Sequence, residues 1–386
     1  MKRTLYSSAV ELAAAALFLT TTGCATRCPC DSAQAAPKRA SLLVVLPSIC
    51  PTPDGMAIAP DGHLVVACPN YADQTKPACL MKVNPATLVA SHWVDVPVLP
   101  ETGVACPMGI EFGPDGDLYV CDNQGWKGTP QGQFRGRILR LRIRDNRVAG
   151  TTVVAEGMEH PNGVRFHKGF LYVTQSLMSK VKDPSGLMVS AVYRFPANAA
   201  NVRVNNTLTD PNIVATFLTE NRNCQYGLDG VVFDSKGNLF VGNFGDGKLY
   251  KLTFDASGHV AQKSVFAKTD FDYSLDPKKP DFLAHATRTK MRTTDGICVD
   301  AHDNIYVADF SNNAIAKVTP DGRISVLAQN GDTDGRDGGL NEPGEPIVWN
   351  GRLVISNFDA VCGPDNPDKV NTKHDQPSTL STLPLK

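Results

Sequence analysis

The chain has 386 residues, of which 42% are hydrophobic and 20% charged, and its formal net charge is −1. That composition can bury the core of one large all-β domain or two ordinary domains, and it excludes an intrinsically disordered protein. So balanced a charge gives no field to draw the molecule onto DNA, RNA or an acidic membrane, and no nucleic-acid partner is expected.

The first element, residues 1–23, reads as an export signal. Lys2 and Arg3 form its positive end, residues 12–19 its apolar centre, and Thr21, Thr22 and Gly23 lead as small residues into Cys24. The apolar run is too short to span a bilayer. Small residues directly before a cysteine resemble a bacterial lipoprotein signal. This predicts an exported protein of the cell envelope, anchored by a lipid on Cys24, with plain periplasmic or secreted release as the alternative. Setting Cys24 aside, ten of the eleven cysteines remain, an even number for a compartment that permits disulfides. Residues 24–40 are rich in Pro and Ala, lack periodicity and read as a flexible tether.

From residue 41 onward one pattern recurs: an apolar run behind a glycine, a turn, and a second apolar run. Its six copies are PDGMAIAPDGHLVVACPN from Pro53, PMGIEFGPDGDLYVCDN from Pro107, PNGVRFHKGFLYVTQS from Pro161, LDGVVFDSKGNLFVGNF from Leu228, TDGICVDAHDNIYVADF from Thr294 and PGEPIVWNGRLVISNFD from Pro343. Each is a β-hairpin. The guiding glycines Gly55, Gly109, Gly163, Gly230, Gly296 and Gly344 stand roughly 50 to 70 residues apart, room for four strands per copy. Residues 137–144, 191–195, 248–254 and 314–318 supply third strands. Repeats of this size with no helical period between them predict a six-bladed β-propeller over residues 41–386. Blade six is assembled from both chain ends, with residues 379–383 inside and residues 42–46 outermost, which removes the free sheet edge. Cys50 and Cys362 would lie near that closure and are paired in this reading, whereas Cys298 reads as an inert core thiol.

In a propeller the first strand of each blade lines the central channel, so the residue before each guiding glycine lies at one mouth. Around the ring these are Asp54, Met108, Asn162, Asp229 and Asp295, with Glu345 one place after Gly344. An Asp before Gly is a common turn dipeptide, but turn chemistry alone does not explain the recurrence in register. Carboxylates so close cannot all stay ionised without a cation, and an all-oxygen set suits a divalent ion, Ca²⁺ first.

These residues resemble those of the senescence-marker-protein/gluconolactonase family of six-bladed propellers and, more distantly, paraoxonase-like lactonases. Gly344-Glu345-Pro346-Ile347-Val348-Trp349 is similar to the family segment whose Glu binds the metal, although that segment normally opens the family's chain. Asn162-Gly163 resembles the metal-binding Asn-Gly, and Asp229-Gly230 the Asp-Gly whose Asp is both ligand and general base. Met108 stands where the family carries a substrate-side Asn, and a thioether cannot coordinate a hard ion. The resemblance implies a metal-dependent lactone hydrolase acting on a small-molecule substrate, with Asp229 or Asp295 accepting a proton from water and His160 assisting. A monomer is expected. The alternative is a non-catalytic propeller that binds a small ligand or a partner protein at the same mouth.

Other signals carry less. Arg140, Arg142 and Arg144 alternate with Leu141 and Ile143 and suggest a charged outer strand. Residues 270–292 form an insertion, a lid or a surface loop, that carries His285 as a candidate at the rim. Residues 332–339 are Asp- and Gly-rich but lack EF-hand spacing. No GxSxG, Walker or HExxH motif occurs.

Overall fold

Alternating apolar residues in short strands, separated by tight turns, can hide both sheet faces only by stacking sheet against sheet. In the computed structural model, which describes residues 36–125, 129–359 and 369–385, that stacking closes into a ring of six antiparallel sheets. All of them lie in the unit that begins at Pro37. Blade one is Met56–Ile58, Leu64–Cys68, Cys79–Val83 and Ala90–Asp95. Blade two runs from Pro107–Phe112 through Leu118–Asp122 and Gly136–Arg144 to Arg147–Met158, with Val202–Arg203 added in parallel outside. Blade three is Pro161–His167, Phe170–Gln175, Met188–Pro196 and Ile213–Thr219. Blade four is Leu228–Phe233, Leu239–Asn243, Lys248–Phe254 and Val260–Lys268. Blade five is Ile297–Val299, Ile305–Asp309, Ala314–Val318 and Ile324–Gln329.

Blade six closes the ring as its sequence suggests. Pro343–Trp349, Arg352–Asn357 and Thr379–Pro384 pair in turn, and Ser41–Val45 adds outermost with Ser41 opposite Thr382 and Val45 opposite Thr379. Just ahead of it, Lys38 bridges Ala328 of blade five. The pairing expected of Cys362 involves a residue outside those described. Cys50, Cys68 and Cys79 are buried together against Leu46 and Leu380 at the contact of blades one and six. Cys298 is buried, as a core thiol should be.

Hydrophobic clusters fill the gaps between neighbouring blades. Val65 and Ala67 of blade one meet Ile110, Leu118 and Leu139 of blade two, while Val192 and Phe217 of blade three meet Val231 and Leu239 of blade four. One reading of the sequence is corrected here. The Arg-rich strand Gly136–Arg144 is the third of its blade, as its place after the second hairpin predicts, and its pairing on both sides overturns only the reading of its charges as those of an outer strand. Its charges are held locally, Arg140 and Arg144 both pairing with buried Asp117 at 2.8 and 2.7 Å.

The guiding glycines are explained by contact. A Cβ on Gly55 would stand 2.3 Å from the carbonyl oxygen of Met108 in the next blade, and one on Gly109 would stand 2.5 Å from that of Asn162. Neither is possible without moving a backbone. Gly109→Ala is therefore expected to cost at least about 2 kcal/mol in chemical denaturation, through overpacking at the axis. Gly331→Ala, where a Cβ meets nothing within 4 Å, should stay within about 0.5 kcal/mol of the parent. Equal effects of the two would contradict this account of the repeat.

Candidate active site

The inner strands begin with an irregularity. Pairing slips between Pro107 and Ile110, Pro161 and Val164, Leu228 and Val231, and Pro343 and Pro346. Bulges of this kind re-aim side chains. The bulged pairs are Met108-Gly109, Asn162-Gly163, Asp229-Gly230 and Gly344-Glu345, so Glu345 joins the ring although it follows its glycine. The loops that lead into these strands are held by the polar residue ending the second strand. Asp122 accepts from the Cys106 amide at 2.7 Å, Gln175 from Glu159 at 2.9 Å, Asp309 from Thr293 at 2.9 Å and Asn357 from Asn341 at 3.0 Å.

The predicted oxygens come together. Asn162 Nδ2 donates to Asp229 Oδ2 at 2.7 Å, and Asp229 shares a hydrogen bond with Asp295. Asp54 feels the charges of both Asp229 and Glu345. Its Oδ2 is buried and has no hydrogen-bond partner. Burial drives all four acids toward the protonated form. Asp54 is pushed well up, with Asp229 and Glu345 adding to the effect. Asp295 is also pushed well up, with Asp229 and Asp54 as neighbours. Asp229 rises to about 7, and the hydrogen bond from Asp295 restrains the rise. Glu345 rises less because the Arg165 guanidinium lies against it. Asp229 and Asp295 thus act as a pair sharing a proton when no cation is present.

His160 is one side chain removed from the ring. Its Nδ1 lies 3.1 Å from the Tyr226 hydroxyl and 3.0 Å from Asn123 Nδ2, and Tyr226 in turn accepts from Asn162 Nδ2 at 3.1 Å. Burial lowers the imidazole to about 4, so it is neutral at pH 7 and orients Tyr226 and Asn162 rather than the acids directly. Met108 occupies its ring position as a buried thioether, beside Cys106 Sγ at 3.8 Å. His285 is elsewhere, half exposed and 3.6 Å from Asp281. The insertion that carries it is pinned at the rim of blades four and five, where Asn312 Nδ2 donates to Ala286 O at 3.1 Å.

The sequence reading missed Arg165 and Glu111. Arg165 lies below the ring, pairs with Glu345, and stands 4.0 Å from Glu111. Glu111 is raised to about 7 by burial, partly countered by Arg165. A signal for both was present. Two places after the guiding glycine, blades one, four and five carry Ala57, Val232 and Cys298, and only blades two and three carry a charge. The two residues form the polar part of a cavity of about 380 Å³ at the opposite mouth, otherwise lined by apolar side chains such as Phe112, Phe166 and Phe233.

Among the described residues, no three His, Cys, Asp or Glu side chains stand as a ready-made metal site. Glu345 is engaged by Arg165, and Asp229 by Asp295. The donor set nevertheless fits a hard divalent ion, being all oxygen, rich in carboxylates, and including the orphaned oxygen of Asp54.

No family model matches the sequence, and comparison with curated proteins finds no significant match. Solved structures do match. A gluconolactonase from Xanthomonas campestris is 14% identical over 92% of this chain and 97% of its own, with a TM-score of 0.53. A calcium-binding regucalcin from Agrobacterium tumefaciens is 14% identical over 90% of this chain and 94% of its own, also at 0.53. The chain has the six-bladed fold of these proteins. A PQQ-bound aldose sugar dehydrogenase from Streptomyces coelicolor matches as well, 13% identical over 90% of this chain and 99% of its own at a TM-score of 0.52. Different chemistries share the scaffold, so the fold alone does not fix the reaction.

The ring has a pH signature. A carboxyl raised in the folded state adds stability below its unfolded value, and that stability is lost as pH rises through the folded value. For Asp229 the window runs from about 4 to about 7. In chelator-treated protein, Asp229→Asn should be more stable than the parent at pH 8, on the order of 2 kcal/mol, with the difference vanishing near pH 4. Denaturation at both pH values checks this, and a gain that is independent of pH would contradict it.

Proposed function

We propose that the acidic mouth is the active site of a divalent-metal-dependent hydrolase that opens lactones or similar cyclic esters. The observation that carries this reading is the convergence of Asp54, Asn162, Asp229, Asp295 and Glu345 from five blades, with one buried carboxylate oxygen left unpartnered. Those five residues would hold the ion, most suitably Ca²⁺. A bound ion of this kind polarises a lactone carbonyl and stabilises the charge that develops on its oxygen. Asp229 takes a proton from the attacking water and returns it to the alkoxide released when the ring C–O bond breaks, giving a hydroxy acid. Asp295, hydrogen-bonded to Asp229, is the partner that shares this proton. Tyr226 and His160 hold the Asn162 amide in place, and Arg165 fixes Glu345 from below. The fold-level likeness to gluconolactonase and regucalcin supports the same reading.

Two observations favour a second reading, a non-catalytic propeller that binds a ligand at this mouth. Met108 contributes no oxygen, and Glu345 is already engaged by Arg165. We further place the protein in the cell envelope as a monomer. The signal and Cys24 lie outside the described residues, among which no helix is long and apolar enough to cross a membrane.

Purified protein with calcium is expected to hydrolyse lactones and to stop when chelated. Asp229→Asn should lower kcat by about 100-fold or more. Calcium binding without turnover across a broad lactone panel would replace the enzyme with the binding protein.

A further inference from the structure

The acid ring has an aromatic border. Tyr71, Phe358, Phe310, Phe244, Tyr226 and His160 follow one another with ring centroids 5.7, 5.9, 5.8, 5.4 and 5.3 Å apart. The arc has a simple origin in the repeat. In blades four, five and six the residue after the second strand is aromatic, in Asn243-Phe244, Asp309-Phe310 and Asn357-Phe358. The second strand runs antiparallel to the inner one, so its end reaches the mouth where the inner strand begins. The arc meets the ring at Tyr226 and comes near it at Phe358. A Cβ on Gly344 would lie 3.2 Å from Asp54 Oδ1 and 3.5 Å from Phe358 Cβ, and the Tyr226 hydroxyl takes a hydrogen bond from Asn162. Tyr71, Phe244 and Phe358 stay half-buried, with surface left to cover.

We propose that this mouth selects lactones with an apolar body, an alkyl chain or an aromatic ring, over polyhydroxylated lactones. The inference rests on the hydrolase reading and adds its substrate class. Each sugar hydroxyl brought against the arc would lose water and need a partner. The Tyr226 hydroxyl is already shared between Asn162 and His160. An apolar body instead covers aromatic surface, the favourable use of such rings. Met108 points the same way, because it places a thioether in the one ring position without an oxygen. The reacting ester group reaches the oxygens while the rest of the molecule lies along the arc.

The test compares kcat/KM of the full chain, with calcium, on a long-chain γ-alkyl lactone, an aromatic lactone and glucono-δ-lactone. The two apolar substrates are expected to lead by about tenfold or more. Phe244→Ala and Phe358→Ala should each lower that lead by about tenfold, because kcat/KM falls more on the two apolar substrates than on glucono-δ-lactone. Met108→Asn should narrow the gap from the other side. A preference for glucono-δ-lactone, or equal losses on all substrates in both Phe variants, overturns the inference. If nothing is hydrolysed, the enzyme reading fails, and titration calorimetry with the matching lactams still decides the selectivity. Tighter binding of the alkyl and aromatic lactams upholds it, whereas equal or absent binding removes it.

Discussion

The inner strands of this propeller approach one another so closely at the axis that a guiding glycine's missing Cβ is the space occupied by the next blade's backbone. Gly163 faces the carbonyl of Asp229, Gly230 that of Asp295, and Gly296 that of Gly344. The same approach forces the flanking carboxylates into one small volume away from water. Charge crowding is thus a consequence of closing the ring. It costs stability unless protons, cations or donors are supplied.

The protein supplies all three kinds of relief. Asp229 and Asp295 share a proton, Asn162 donates to Asp229, and Arg165 reaches up from the opposite side to Glu345. Among the four acids of the ring, Asp54 is the one with an unsatisfied buried oxygen. An arrangement that is stable but incompletely satisfied fits the site proposed for an external cation. Around it, the polar residues ending the second strands fix the approach loops, so the ring is placed by sheet ends rather than by free loops.

Much of this was legible in the residues. The hairpin repeat, its period and the recurrence of Asp-Gly or Asn-Gly in register gave the blades, their order and the ring members, including the closure of blade six by Ser41–Val45. What escaped depends on three-dimensional neighbours. Arg165 and Glu111 look like ordinary alternating strand positions until the channel is closed, although charge at that place in only two blades was a usable sign. Tyr226 precedes its strand in a loop without any motif. His160 was correctly placed near the mouth, but only coordinates show that Tyr226 stands between it and the acids. The Arg-rich strand suggested an exposed edge because Asp117, which holds its charges, lies in the turn between the first two strands of the blade rather than within the strand.

The central claim is that oxygens from separate blades are gathered to share one ion. A crystal soaked in calcium and measured for anomalous scattering tests it most directly. One peak on the channel axis, about 2.3–2.6 Å from oxygens of Asn162, Asp229 and Glu345, is predicted. An empty axis at saturating calcium, with Arg165 still paired to Glu345 and Asp229 to Asp295, would contradict it.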